Sequence, residues 1–156
     1  AANVGDAHLP QVAPHAEVVE ACRRATLEFE RLAHGFDAHG ALAVAEELCR
    51  QENKRWDDAS KAAKGDDAAY EQALADAFCA LRTVTLLMHP AVPSGCEKIC
   101  EHMGFGAEEF FSWEHAFDGP VELAATLGQT PVEHAIVPLP PRFDFFEKHP
   151  SQVKKK

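Results

Sequence analysis

Apolar positions recur at helical spacing along most of the chain. Between Ala16 and Ala33 they fall at Val18, Val19, Cys22, Leu27, Phe29 and Leu32, which predicts an amphipathic helix. His34-Gly35 supplies a glycine C-cap to end it. Asp37 then stands as the N-cap of a second helix carrying Leu42, Val44, Ala45, Leu48 and Cys49 and running to about Arg55. The connection is short, so the two helices are expected to pack antiparallel. Lys61 to Asp67 is a charged break around Gly65. A third helix is predicted from Asp67 to Met88, with Tyr70, Leu74, Ala77, Phe78, Leu81, Val84, Thr85 and Met88 as its core stripe, and His89-Pro90 stops it. Ser94 with Glu97 three residues later reads as a capping box opening a short helix to Met103, closed by Gly104.

No alternating run of strand length competes with these elements, and the fold class expected is all-α, a helical bundle. After Gly104 the pattern changes. Phe105, Phe110, Phe111, Trp113, Phe117, Phe143, Phe145 and Phe146 are spread through a segment punctuated by glycine and proline. Leaving such rings in water forgoes about 1.5–3 kcal/mol each, so this irregular aromatic-rich C-terminal tail is expected to pack back on the bundle. The organisation read is a lead-in over 1–15, a bundle with its return segment over 16–146, and a solvated basic tail over 147–156 ending in Lys154-Lys155-Lys156.

The 156 residues suit one domain, and 46% hydrophobic with 26% charged residues is a globular composition. No apolar run is long enough to span a membrane and the first residues lack a signal-peptide pattern, so a cytoplasmic location is expected. Five cysteines, Cys22, Cys49, Cys79, Cys96 and Cys100, are an odd count that argues against a disulfide framework and reads as small buried hydrophobes. The net charge of −10 predicts weak phosphate binding by this chain alone. It leaves open the reading of a few unstacked bases by aromatic stacking.

Enzymatic patterns are missing. There is no glycine-rich phosphate loop and no G-x-S-x-G elbow. The acidic pairs Glu46-Glu47, Asp57-Asp58, Asp66-Asp67 and Glu108-Glu109 are adjacent residues that point apart on a helix, and they read as solvated faces. Cys96, Cys100 and His102 offer one ligand unit where zinc wants paired units, and Cys96 and Cys100 have the spacing of one core face. Neither a metal nor a cofactor is expected. The segment Arg50-Gln51-Glu52-Asn53-Lys54-Arg55-Trp56-Asp57-Asp58-Ala59-Ser60-Lys61 carries the sharpest hint. It sets a flat indole among Arg50, Lys54, Arg55 and Lys61, an arrangement suited to stacking an unpaired base. The plainer reading is that Trp56 caps the hydrophobic end of the bundle.

Ala41 to Lys61 resembles the second helix of the anticodon-binding domain of methionyl-tRNA synthetases, a class I aminoacyl-tRNA synthetase family, with Glu52-Asn53-Lys54-Arg55-Trp56 in place of the family's ending in Pro-Trp. Ala80-Leu81-Arg82-Thr83-Val84-Thr85-Leu86-Leu87-Met88-His89-Pro90-Ala91-Val92-Pro93 is similar to the family's third helix and its Pro-x-x-Pro exit. Cys96 to Gly104 is similar to the helix after it, and Trp113 with Pro138-Leu139-Pro140-Pro141-Arg142-Phe143 to the return segment. The similarity covers roughly residues 16–146 in order. It implies that Trp56 stacks on the first anticodon base, a cytosine, with Arg55, Lys54 and Arg50 beside it. Arg55 stands where the family has proline, and Glu47 and Cys49 stand where it has asparagine and tyrosine.

The resemblance implies a partner, the anticodon loop of methionine tRNA, and a catalytic domain of the same chain that uses ATP and Mg. It also implies that an Asn and an Arg on a helix preceding Ala1 share in reading the cytosine. The chain is therefore expected to be a piece of a longer ligase, with no aminoacylation site of its own. If α-helices one and two are antiparallel, Arg23 and Arg24 lie near the same end as Trp56. Three other readings compete: a free-standing degenerate paralogue acting as a protein- or RNA-interaction module, the matching domain of a cysteine, leucine or valine synthetase, and a metal-dependent helical enzyme.

Overall fold

The described part of the computed structural model is residues 8–137, so Phe143, Phe145, Phe146, the Pro138–Phe143 motif and the lysine tail lie outside it. Six helices follow one another: α1 (Ala16–His34), α2 (Ala38–Ala62), α3 (Asp67–Met88), α4 (Pro93–His102), α5 (Ala107–Phe110) and α6 (Pro120–Thr126). Among the described residues there is no strand, only a bridge between His8 and Ala135, and the fold is all-α. No helix among them is long and apolar enough to cross a membrane.

The first three helices form an antiparallel bundle. Arg55 in the second half of α2 pairs with Glu17 in the first turn of α1. Gln72, early in α3, donates to the Ala13 carbonyl just ahead of α1. Asp37 and Asp66 are the N-caps of α2 and α3, accepting from the amides of Gly40 at 2.8 Å and Ala69 at 3.0 Å. Each satisfies an amide that the helix itself leaves without a partner.

Several boundaries differ from those read in the sequence. α2 does not stop near Arg55 but continues to Ala62, because no glycine or proline interrupts it and Lys61 pairs with Asp57 one turn back. Trp56 is therefore inside the helix. The capping box at Ser94 does not form: Pro93 occupies the first helical position, where its fixed φ suits the helix, so Val92 is the cap and Ser94 lies within α4. The segment after Gly104 holds the short helices α5 and α6, and is less irregular than its punctuation suggested.

The ends of α1 and α4 share one hydrogen-bond pattern with different residues at its critical point. After α4, Gly104 adopts φ 76°, its amide bonds to the Glu101 carbonyl, and Phe105 bonds back to Cys100. A Cβ at Gly104 would also collide with the Ala135 carbonyl, so glycine is required twice over. After α1, Gly35 has an ordinary negative φ, and the left-handed residue is Phe36 at φ 60°. Its amide bonds to Ala33, and Asp37 bonds to Leu32. The glycine falls one residue short of the position that needs it.

Two apolar clusters hold the molecule. Val18, Cys22, Leu48 and Cys79 join the first three helices. Leu9, Phe78, Ile99, Cys100, Phe105, Phe110, Leu123 and Ala124 bring α4, α5 and α6 against the other side of α3. Of the aromatic rings after Gly104 that are described, Phe105 and Phe110 are buried in this second cluster. Phe105 stacks on the buried His134 at 4.2 Å, Phe111 stacks on His89 at 4.0 Å, and Trp113 stays exposed. Arg82 of α3, only 1% exposed, anchors this segment by donating to the carbonyls of His115 and Glu109 while lying over the Phe110 ring.

Candidate nucleic-acid interface

Glu52, Asn53 and Trp56 are spaced by three and four residues on α2, so they share the flank of the helix that meets α3. With Cys49 behind them and Leu74 and Leu81 of α3 opposite, they line an open groove of about 360 Å³. Leu9 of the entry segment and Ile136 of the exit segment stand on the same wall. Trp56 is half-buried, its ring 5.8 Å from that of Tyr70 and tilted 57° to it. The walls are mostly hydrocarbon and the polar groups few, the composition typical of ligand sites.

The groove exists because α3 turns an unexpected face to the core. Of the predicted stripe, Phe78 and Thr85 are buried, whereas Tyr70, Leu74, Ala77, Leu81, Val84 and Met88 are left partly open, with Tyr70 at 43% and Leu81 at 41% exposure. The enclosed positions instead include Asp76, Arg82 and Thr83. Arg82 is held there by carbonyls of the 109–115 segment, and Asp76 by the amide and imidazole of His15, both at 2.7 Å. Polar partners supplied from distant segments let charged residues face inwards and leave apolar ones facing out.

Glu52 sits at the base of the groove with 8% exposure. Burial raises its carboxyl above the ordinary range, opposed chiefly by Arg55, whose Nε lies 3.1 Å from Oε2. Arg55 also donates from Nη1 to Glu17 at 2.7 Å, so its guanidinium spans two carboxylates on the α1 side of the helix.

Of the four residues singled out in sequence, Trp56 alone faces the groove. Arg55 points to α1, and Arg50 is held on the outer surface by Glu46 and Glu47 at 2.9 and 2.7 Å. Lys54 is exposed and lines a separate groove between α1 and α2 with Arg24 and Gln51. Arg23 lies over Phe117, 5.0 Å from its centroid, so of that pair only Arg24 shares a surface with Lys54 and Arg55. The cationic ring around the indole is thus dispersed. Glu46, Glu47, Glu52, Asp57 and Glu17 take up Arg50, Arg55 and Lys61.

Sequence reasoning missed Tyr70, Asn53, Glu52 and Leu81 as groove residues. A signal was present: the third helix is apolar on more than one face, and only one of them needs to be core. Cys96 and Cys100 are both buried, Cys100 in the second cluster; burial raises both thiols to about 11, and Cys100 donates to the Phe105 carbonyl at 3.2 Å. Among the described residues no group of three His, Cys, Asp or Glu is arranged to hold a metal ion. Comparison with protein-family models, with curated proteins and with solved structures finds no match to this chain.

Proposed function

We propose that this protein recognises the anticodon of methionine tRNA, as the anticodon-binding module of a methionyl-tRNA synthetase whose ATP- and Mg-dependent catalytic part lies elsewhere. The observation that carries the reading is Trp56 on the wall of an apolar groove that Asn53 and Glu52 also line. An unstacked base laid on the indole face exchanges water for ring contact, a gain of about 1–3 kcal/mol. Amide and carboxyl groups beside the ring are suited to a base edge, and a carboxylate accepts from the amino group of cytosine. The order of the sequence motifs from Ala41 to Gly104 supports the same reading.

The paired cations give the reading a particular character. Arg50, Arg55 and Lys61 are occupied by carboxylates, so base stacking, not phosphate contact, dominates the affinity. Titration of the chain with a stem-loop bearing a CAU anticodon, at fixed salt, tests this. Trp56→Ala is expected to weaken binding by about 1–3 kcal/mol, and changing the first anticodon base away from cytosine to weaken it further than changing a stem base pair. Equal affinity of the two proteins would remove Trp56 from the site.

A second reading has its own observation. The half-open stripe of Tyr70, Leu74 and Leu81, combined with neutralised flanking cations, also suits an apolar segment of a protein partner. Absence of RNA binding at low salt would move this interaction-module reading to first place.

A further inference from the structure

We propose that Cys22 of α1 and Cys79 of α3 form an oxidisable thiol pair that closes to a disulfide and locks those two helices together. The two residues are 57 apart in the chain, yet Cys79 Sγ donates to Cys22 Sγ at 4.0 Å. Both lie in the cluster that joins the first three helices, at 2% and 0% exposure, with Val18 and Leu48 around them. A disulfide needs its sulfurs about 2.05 Å apart, so closure asks for roughly 2 Å of approach, shared between side-chain rotation and a small shift of α1. The other described thiols are placed differently: Cys49 lies on the groove wall, Cys96 is separate, and Cys100 is committed to the Phe105 carbonyl.

The chemistry has an order. Contact with Cys79 lowers the pKa of Cys22, while the same contact raises that of Cys79, and Arg55 adds to the lowering at Cys22. Cys22, which accepts the Cys79 S–H at 4.0 Å, is the sulfur that ionises and attacks a hydroperoxide such as hydrogen peroxide. Its S–O bond forms as the O–O bond breaks, and hydroxide leaves and takes up a proton. Cys79 then attacks the sulfenic sulfur, its thiol proton leaves with the departing oxygen as water, and the S–S bond forms. In sum two thiols and one peroxide give one disulfide and two waters. Because both sulfurs are enclosed, the reaction runs in the small fraction of molecules in which α1 has loosened, and is slow for the same reason.

The test uses the whole chain with Cys49→Ser, so that the half-exposed thiol does not form intermolecular bridges. The folded protein is treated with hydrogen peroxide, remaining thiols are alkylated, and peptides are mapped without reduction. The expected result is a Cys22–Cys79 linked peptide, loss of two of the four remaining thiols, and a thermal midpoint several degrees higher that returns to its starting value on reduction. Cys22→Ser abolishes all three changes. If that variant does not fold, mapping of the chain with only Cys49 replaced decides the matter. The proposal is overturned if Cys22 and Cys79 stay reduced under peroxide that oxidises Cys49 in the unsubstituted chain. It is equally overturned if the bridge appears only after unfolding in urea, or if Cys96 and Cys100 pair instead.

Discussion

Glu52 and Arg82 show how single buried charges shape this molecule in opposite ways. Burial raises the Glu52 carboxyl in the folded chain, so folding makes it hold its proton more tightly than the unfolded chain does. Its contribution to stability is fully present below the ordinary carboxylate value. It is lost as pH rises through the raised folded value. Glu52→Gln keeps the shape and removes this titration. Urea midpoints measured from about pH 4 to pH 7 should therefore fall less steeply for the variant than for the parent. An unchanged slope would show that the carboxyl is ordinary. Arg82 makes no ion pair among the described residues; its two Nη groups donate to the His115 and Glu109 carbonyls, and its buried Nε has no partner among them. Arg82→Met leaves those acceptors bare, with an expected loss of about 2–4 kcal/mol in chemical denaturation. Arg82→Lys should recover little of it, since an ammonium cannot reach both carbonyls as the planar fork does.

At the level of elements, the ends of α1 and α4 provide an internal comparison. Gly104 meets the demand for positive φ without steric cost, whereas Phe36 meets it with a Cβ and with its ring 97% exposed. Phe36→Gly is accordingly expected to stabilise the protein, by up to about 1 kcal/mol in thermal unfolding, because the strain removed is not offset by lost packing. A destabilised variant would mean that the ring is held by contacts with Phe29 and Leu42 around the neighbouring groove. The same comparison shows what the sequence made legible. The cap at Asp37, the stop at His89-Pro90 and the turn at Gly104 are local chemistry, and the helix ends they mark stand where that chemistry put them. The length of α2 and the inward face of α3 are not local. Both depend on partners far along the chain, such as Glu17 for Arg55, and on carbonyls of the 109–115 segment that periodicity does not register. Trp56 was readable as a chemical candidate. Its neighbours in space, Tyr70 and Leu81, were not, because they belonged to a stripe read as core.

Taken whole, the molecule carries a net charge of −10 and holds Arg50, Arg55 and Lys61, the cations nearest Trp56 in sequence apart from Lys54, in short-range pairs. A protein built this way gains little from counterion release. The affinity for a stem-loop RNA should therefore fall only gently with salt, with a log–log slope of small magnitude, near that of one or two phosphate contacts. A steep slope would place cations such as Arg24, Lys54 and Lys98 at the centre of binding and demote the groove. The proposed stacking of one base on Trp56 would show itself in the indole resonance of Trp56 in an NMR titration with the CAU stem-loop. Trp113, exposed and remote in sequence, serves as the internal control and Trp56→Phe assigns the signal. Stacking predicts an upfield ring-current shift of the Trp56 indole protons that saturates with the RNA while Trp113 stays still. Saturating RNA binding with an unmoved Trp56 resonance would contradict it.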